Sequence, residues 1–362
     1  MDILRGLAKI QSERNVALVA VSLLVTAGLA TGIPNIQLQT DFQASLPQDL
    51  DPIQAEDRVE ANFGSTDAII VLFETDSSVQ EDSYVTDVRD PRLLRTQQFL
   101  AEELEREEQV ASAQSAAALV QQLPNTTQSS RSVFENRQSS QFFNRDFTAS
   151  LMFVELSSDT TEDNIVETTR VIEQNLEQSP QYPGVDTTVS GLPVVRADLG
   201  QILVSDSATT TAVASVLILG LLTVVRGRVY GPITFVPLAM GLIWTLGALG
   251  WLGIPLTIAT IALGSLILGL GVEYGSFMTE RIVEELENHD IDEAVATSVS
   301  STGKAIIGSS TTTIVGFAAL ILASISFIRN LGLTLALGIA LTLTAAVAVT
   351  PALIVTYERW KS

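Results

Sequence analysis

The chain has no cysteine, one histidine and three lysines in 362 residues. Without cysteine there are no disulfides, no thiolate nucleophiles and no Cys-held metals. The single His289, in a polar stretch before Asp290, reads as a solvated side chain. Ser–His–acid triads therefore lack a base, and neither a metal site nor a cofactor is expected. Carboxylate pairs such as Glu102 and Glu103 have the look of a solvated helix face, not of an acid–base couple, so an enzyme is not expected either. Lysine is scarce while acid is abundant: 41 Asp and Glu stand against 20 Lys and Arg. That excess repels nucleic acid, whose phosphates seek cations.

What the chain does have is apolar length. Six stretches, about Asn15 to Ile33, Ser207 to Val225, Val229 to Trp251, Leu256 to Met278, Ala305 to Ile328 and Leu331 to Tyr357, approach or exceed the roughly 20 residues of helix that cross a bilayer. The first stands alone and the other five crowd the C-terminal half. The expected fold class is a polytopic α-helical membrane protein, six transmembrane helices in a 1+5 arrangement, with an α+β domain between the first and second. The expected domains are 1–33, the N-terminus and first helix; 34–206, the acidic α+β domain; 207–357, a five-helix bundle with a loop at 279–304; and a tail at 358–362.

Orientation follows from basic residues in the short connections. Arg5, Lys9 and Arg14 precede the first stretch, Arg226 and Arg228 follow the second, Arg281 and Lys304 flank the 279–304 loop, and Arg359 and Lys361 close the chain. All fall on one side if both termini are cytoplasmic, which puts residues 34–206 outside a cell membrane. A basic start, an apolar run and small residues at Ala27 to Ala30 also resemble a secretory signal. Cleavage there would strand Arg359 and Lys361 outside, which disfavours that alternative.

Residues 34–206 hold 30 Asp and Glu against 10 Arg and no Lys. Either the surface attracts cations or it is built for salty surroundings, where screening limits self-repulsion. The near-absence of lysine favours the second and points to a halophile, with an archaeal source in view. Within this segment Asp67 to Glu74, Thr148 to Leu156 and Val185 to Ser190 read as strands. Pro91 to Glu107 and Thr161 to Gln178 read as helices, the second with Thr160 or Thr161 as cap and Ile165, Thr169, Ile172 and Leu176 on one face. Strand, helix, strand from Thr148 to Ser190 forms a βαβ unit. Asn125 to Ser140 reads as loop or weak helix, and Asn125-Thr126-Thr127 is a sequon that is used or idle. From Pro193 a helical pattern runs into the second apolar stretch.

The most informative residue is Glu273, alone as a charge in its apolar run. A carboxylate at mid-bilayer costs roughly 2.5 to 3.5 kcal/mol on insertion scales, so it is kept where it pairs, faces a cavity or carries ions. Burial raises such a carboxyl's pKa, and a Tyr hydroxyl donating to it lowers it again. The bland alternative is a protonated or snorkelling side chain about 10 Å along the helix from polar Glu280.

One span, a large outside domain and five further spans resemble half of a resistance-nodulation-division transporter. The local motifs are most similar to the mycobacterial membrane protein large (MMPL) family. They are Gly271-Val272-Glu273-Tyr274-Gly275-Ser276-Phe277 with Glu280-Arg281, Asp292-Glu293-Ala294-Val295, Gly303-Lys304-Ala305-Ile306, Thr311-Thr312-Thr313 with Gly316-Phe317, and Thr350-Pro351-Ala352-Leu353. The chain departs from the family in having Glu273 where Asp is usual, and in carrying one six-span half where two are usual.

The resemblance implies a porter-like domain and a proton- or sodium-coupled exporter of lipid or another hydrophobic or amphiphilic molecule. It implies coupling residues at Glu273, Tyr274, Thr311, Thr312 and Thr313. It also implies pairing with a second copy or a sister half that sets Glu273 against the partner's Tyr274. The threonines either relay protons or simply back-bond within their helix. Gly271 and Gly275 allow close helix packing, at that pairing or within one subunit. Two other classes are carried as alternatives: an accessory subunit of Sec-dependent protein export, and a sterol-sensing-like lipid sensor that does not pump.

Overall fold

The computed structural model describes residues 2–39, 46–47, 50–51, 53–55, 68–75, 84–119, 126–135, 137–157 and 162–361. In chain order its helices are α1 (Asp2–Glu13), α2 (Asn15–Ala30), α3 (Pro91–Leu104), α4 (Thr127–Phe134) and α5 (Glu162–Gln178), then α6 (Leu192–Leu252), α7 (Leu263–Glu285), α8 (Ile291–Ala319) and α9 (Ser326–Lys361). The strands are β1 (Leu38–Gln39), β2 (Ala68–Thr75), β3 (Val110–Gln114), β4 (Ala149–Leu156), β5 (Val185–Ser190) and β6 (Leu256–Thr257). The chain divides into two compact units, Gln48–Gln201 on one hand and Met1–Pro47 with Ile202–Ser362 on the other. Asn125, Thr160 and Thr161 lie outside the described residues.

In the Gln48–Gln201 unit the strands form one antiparallel sheet in the order β3-β4-β2-β5. Strands β4 and β5 both run against β2, so they are parallel to one another with β2 between them. The expected βαβ unit is therefore split. The same holds for β2, α3 and β3 around β4, and the two split units interleave in the ferredoxin-like order β-α-β-β-α-β. Alternation in β2 and β4 sends Ile69, Val71 and Phe73 with Met152, Val154 and Leu156 into the core. Leu93, Leu94, Leu100 and Leu104 of α3 and Ile165, Ile172 and Leu176 of α5 cover that face. The α5 stripe passes through buried Thr168, while Thr169 is half-buried. Asp90 caps α3 by accepting from the Arg92 N–H at 2.8 Å, and α3 ends at Leu104, three residues short of the expected Glu107.

The other unit is apolar outside as well as inside, and it buries hydroxyl side chains within its apolar core. In α2 the buried residues are Asn15 and Ser22, while Val16, Leu23 and Leu24 face outward. In α6 Val216, Leu217, Leu221 and Val224 are exposed. Inside the bundle Thr234, Thr245, Thr279, Ser298, Ser310, Thr334, Thr342 and Thr350 are buried. An exposed apolar surface of this extent suits hydrocarbon, not water. Among the described residues α2 with the turn after it, α6, α8 with Leu320–Leu322, and α9 are long and apolar enough to cross a membrane.

Helix α6 holds two of the expected stretches and breaks between them at Gly227, whose φ of 84° and ψ of 170° are not helical. Eight residues of straight helix would separate Thr223 from Gly231 by about 12 Å. Instead a Cβ built on Gly231 would lie 2.6 Å from the Thr223 Cα, so the chain doubles back. The stretch expected to be helical from Leu256 is different. Leu256 and Thr257 form β6, parallel to β1, and the Thr257 N–H donates to Thr260 Oγ1 at 2.7 Å. Pro255 and the β-branched Thr257, Ile258 and Thr260 disfavour helix there, so α7 begins at Leu263. It holds Glu273 at mid-length and four more charges in its last turns, and it falls outside the group of helices apolar enough to cross.

In the sheet unit, Gly191 ends β5 with φ of 121°, and an added Cβ would sit 2.5 Å from the Ala68 carbonyl oxygen. Gly191→Ala is expected to destabilise this unit by about 2 kcal/mol or more, through strain that backbone atoms relieve poorly. Thermal unfolding of the full chain followed by a probe in the sheet checks this, and an unchanged transition would contradict it.

Candidate functional site

Helix α7 has two faces. Leu263, Ile267, Gly271, Tyr274, Met278 and Ile282 are buried, at the three- and four-residue spacing of one stripe. Leu266, Gly269, Glu273, Phe277, Glu280 and Glu284 follow the same period on the opposite, exposed face. Glu273 thus sits on the outside of the bundle formed by one chain. Among the described residues its carboxylate pairs with no cation. Its apolar neighbours on that face, Leu266 and Phe277, are 43% and 52% exposed.

Between α7 and α8 lies a groove of about 370 Å³ that contains Glu273. Helix α7 contributes Glu273, Tyr274, Phe277 and the charged Glu280, Arg281 and Glu284, while α8 contributes Thr302, Ala305, Ile306 and Ser309. From Glu273 to Glu284 is eleven residues, or roughly 16 Å of helix, leading from an apolar setting to a charged one. A carboxylate, three hydroxyl side chains and an ionic mouth make a surface on which a cation or proton can be held and passed.

The structure brings only part of the expected set together. Tyr274 is 6% exposed and belongs to the buried apolar cluster that also holds Met278, Val299 and Ile306, while still lining the groove. Thr311 donates to Ile307 O and Thr312 to Ser309 O, both at 2.6 Å, which is back-bonding within the helix. Thr312 and Thr313 continue the 302-305-306-309 stripe one turn beyond the groove lining. Thr302 and Ser309, which do line it, were legible only as that four-position stripe opposite Glu273.

Gly271 and Gly275 face inward. A Cβ on Gly271 would lie 2.4 Å from Thr342 Cγ2 of α9, and one on Gly275 would lie 3.1 Å from Thr234 Cγ2 of α6. The close approach that these glycines allow is to helices of the same chain.

Beyond Met278, Arg226 reaches from the bend of α6 to Glu280 at 2.7 Å. Arg281 pairs with Glu284 at 2.8 Å and also with Glu285, which accepts a further contact from His289 at 3.0 Å. The lone histidine is therefore a partner of Glu285.

The sequence pattern of the MMPL family matches residues 44–362. The chain belongs to the MMPL family. MJ1562 of Methanocaldococcus jannaschii, named as a membrane protein, is 30% identical over 368 residues, covering 99% of this chain and 95% of the relative. ActII-3 of Streptomyces coelicolor, also named as a membrane protein, is 32% identical over 96 residues, 26% of this chain and 14% of the relative. This MMPL-family chain is thus a membrane protein matched over nearly its whole length by an archaeal relative of similar size.

In this MMPL-family protein the hydrogen bond from Arg226, and then its charge, hold the Glu280 carboxyl below its ordinary value of 4.5. A depressed value means that the pair's stabilisation is present above pH 4.5 and is lost as pH falls further. The Glu280 side chain is 55% exposed, so screening limits the pair to ~1 kcal/mol or less. Arg226→Gln is expected to lower the melting temperature by about 1–3 °C near neutral pH and by nothing at about pH 3. A difference that persists in acid would contradict this origin.

Proposed function

We propose that this protein is an ion-coupled exporter or lipid mover of the resistance-nodulation-division type, with Glu273 as the carboxylate that carries a proton or sodium ion. The observation that carries this reading is the position of Glu273: a carboxylate with no cation partner among the described residues, on the exposed face of α7 beside Leu266 and Phe277, in a groove that leads to charged residues. Facing lipid there would cost roughly 2.5 to 3.5 kcal/mol, so the face is covered by protein or water in the working assembly.

A second copy of the chain is the cover that fits best. Two copies related by a twofold axis bring one α7–α8 face against the other, enclosing both carboxylates in one interior. Thr302, Ser309, Thr312 and Thr313 then supply hydroxyls along the path, and Tyr274 an edge of its ring. In this reading both termini and the 279–304 loop are cytoplasmic, and residues 34–206 form the outside domain. Each proton crossing 100 mV releases about 2.3 kcal/mol, and two copies have two carriers. The cargo class, a hydrophobic or amphiphilic molecule, comes from the family.

Vesicles holding the purified chain, loaded with a panel of lipids and amphiphiles and driven by an imposed pH or sodium gradient, test the proposal. Glu273→Gln is expected to abolish gradient-driven flux and Glu273→Asp to retain it, because the carboxyl alone is needed. Since each 1.4 kcal/mol of lost coupling is about tenfold, the Gln variant should fall by at least that factor. Flux unaffected by Glu273→Gln would contradict the proposal and favour a lipid sensor or an export accessory.

A further inference from the structure

Proline inside a helix removes one donor, and the carbonyl four residues earlier loses its partner. In α9 that proline is Pro351 and the carbonyl is that of Val347. The missing donor comes from the other end of the chain. The side-chain amide of Gln11, in the last turn of α1, donates to Val347 O at 2.7 Å and to Ala348 O at 3.0 Å. Gln11 is fully buried, and its own Oε1 accepts from none of the described residues. A buried amide held by one half only is there for its donors.

Gln11 belongs to a wider seat. Leu4, Leu7 and Ala8 place the apolar side of α1 against the cluster that contains Val295, Val299, Val347 and Ile354. Asn15 donates to Thr356 Oγ1 at 2.9 Å, and Arg359 donates to Ser12 O at 2.8 Å and pairs with Asp292 at 2.7 Å. These ties straddle Pro351, from Val347 before it to Arg359 after it. On the near side of the proline, Thr342 fits against Gly271, two residues from Glu273.

We infer that α1 is a strap across the proline of α9: Gln11 replaces from outside the helix the donor that Pro351 removes, so the hydrogen bonding of α9 around Pro351 is complete only while α1 is seated. Lifting α1 leaves the Val347 carbonyl without a donor and lets α9 flex where it supports the Glu273 helix. The inference rests on the α1–α9 contacts and stands whether or not Glu273 carries an ion.

The test is a double-mutant cycle in the full-length protein in lipid nanodiscs, with Gln11→Met, which keeps the shape and removes the donors, and Pro351→Ala, which restores the backbone N–H. Gln11→Met is expected to lower the melting temperature by about 4 °C. It should also speed hydrogen exchange over residues 344–356 about tenfold. In the Pro351→Ala background the same substitution should change both by less than half as much, because Val347 O is already satisfied. If Gln11→Met alone fails to fold, recovery of folding in the double variant supports the strap. Equal penalties in both backgrounds, no penalty in either, or failure of both variants to fold would overturn it.

Discussion

A carboxylate on the outer face of α7, between apolar neighbours, is the constraint on which the rest of this molecule depends. Water is absent from the surroundings that suit α2, α6 and α9, and lipid solvates a charge poorly. Among the described residues Glu273 has no cation beside it, and its helix face is bordered by exposed Leu266 and Phe277. In the function proposed, the assembly supplies the cover that the described residues do not. The groove between α7 and α8 runs from that carboxylate to Glu280, Arg281 and Glu284, where solvated charge begins.

The packing of the bundle is consistent with such surroundings. Aliphatic side chains of α2 and α6 are exposed, while threonine and serine side chains are buried within an apolar core. Small residues set the helix spacing. Thr342 of α9 lies against Gly271, and Thr234 of α6 against Gly275. The inner stripe of α7 is thereby locked to its own chain, leaving the Glu273 stripe free to meet something else. Side chains three and four apart share a face, so one helix does both jobs without conflict.

Much of this was legible in the sequence, for physical reasons that vary with the element. Strands β2, β4 and β5 are rich in β-branched and aromatic residues and were readable to within a residue. Strand β3, Val-Ala-Ser-Ala-Gln, consists of small residues of weak strand preference, kinked by a bulge after Val110, and only pairing with β4 makes it a strand. Without β3 the interleaved topology was hidden. Helix α1 was hidden as well, although Leu4, Leu7, Ala8 and Gln11 carry its period. At 12 residues it stands at the lower limit of the roughly 12 to 15 that hold a helix alone, and tertiary contact sustains it. The solitude of Glu273 among apolar residues was plain in the sequence, whereas its outward direction was not. Periodicity fixes which residues share a face but not which face meets the neighbours. The same limit hid Thr302 and Ser309, and it left two alternatives for Gly271 and Gly275 that the contacts with Thr342 and Thr234 decide for packing within the chain.

The most direct test of an outer carboxylate that the assembly must cover is a distance. Because the chain lacks cysteine, Phe277→Cys places a single spin label one turn from Glu273. Packed helices lie 8–10 Å apart, so pulsed dipolar spectroscopy in nanodiscs should find label pairs within about 25 Å, allowing for the label arms. Labels that show no dipolar partner in an actively transporting preparation would contradict coverage of this face by a second copy.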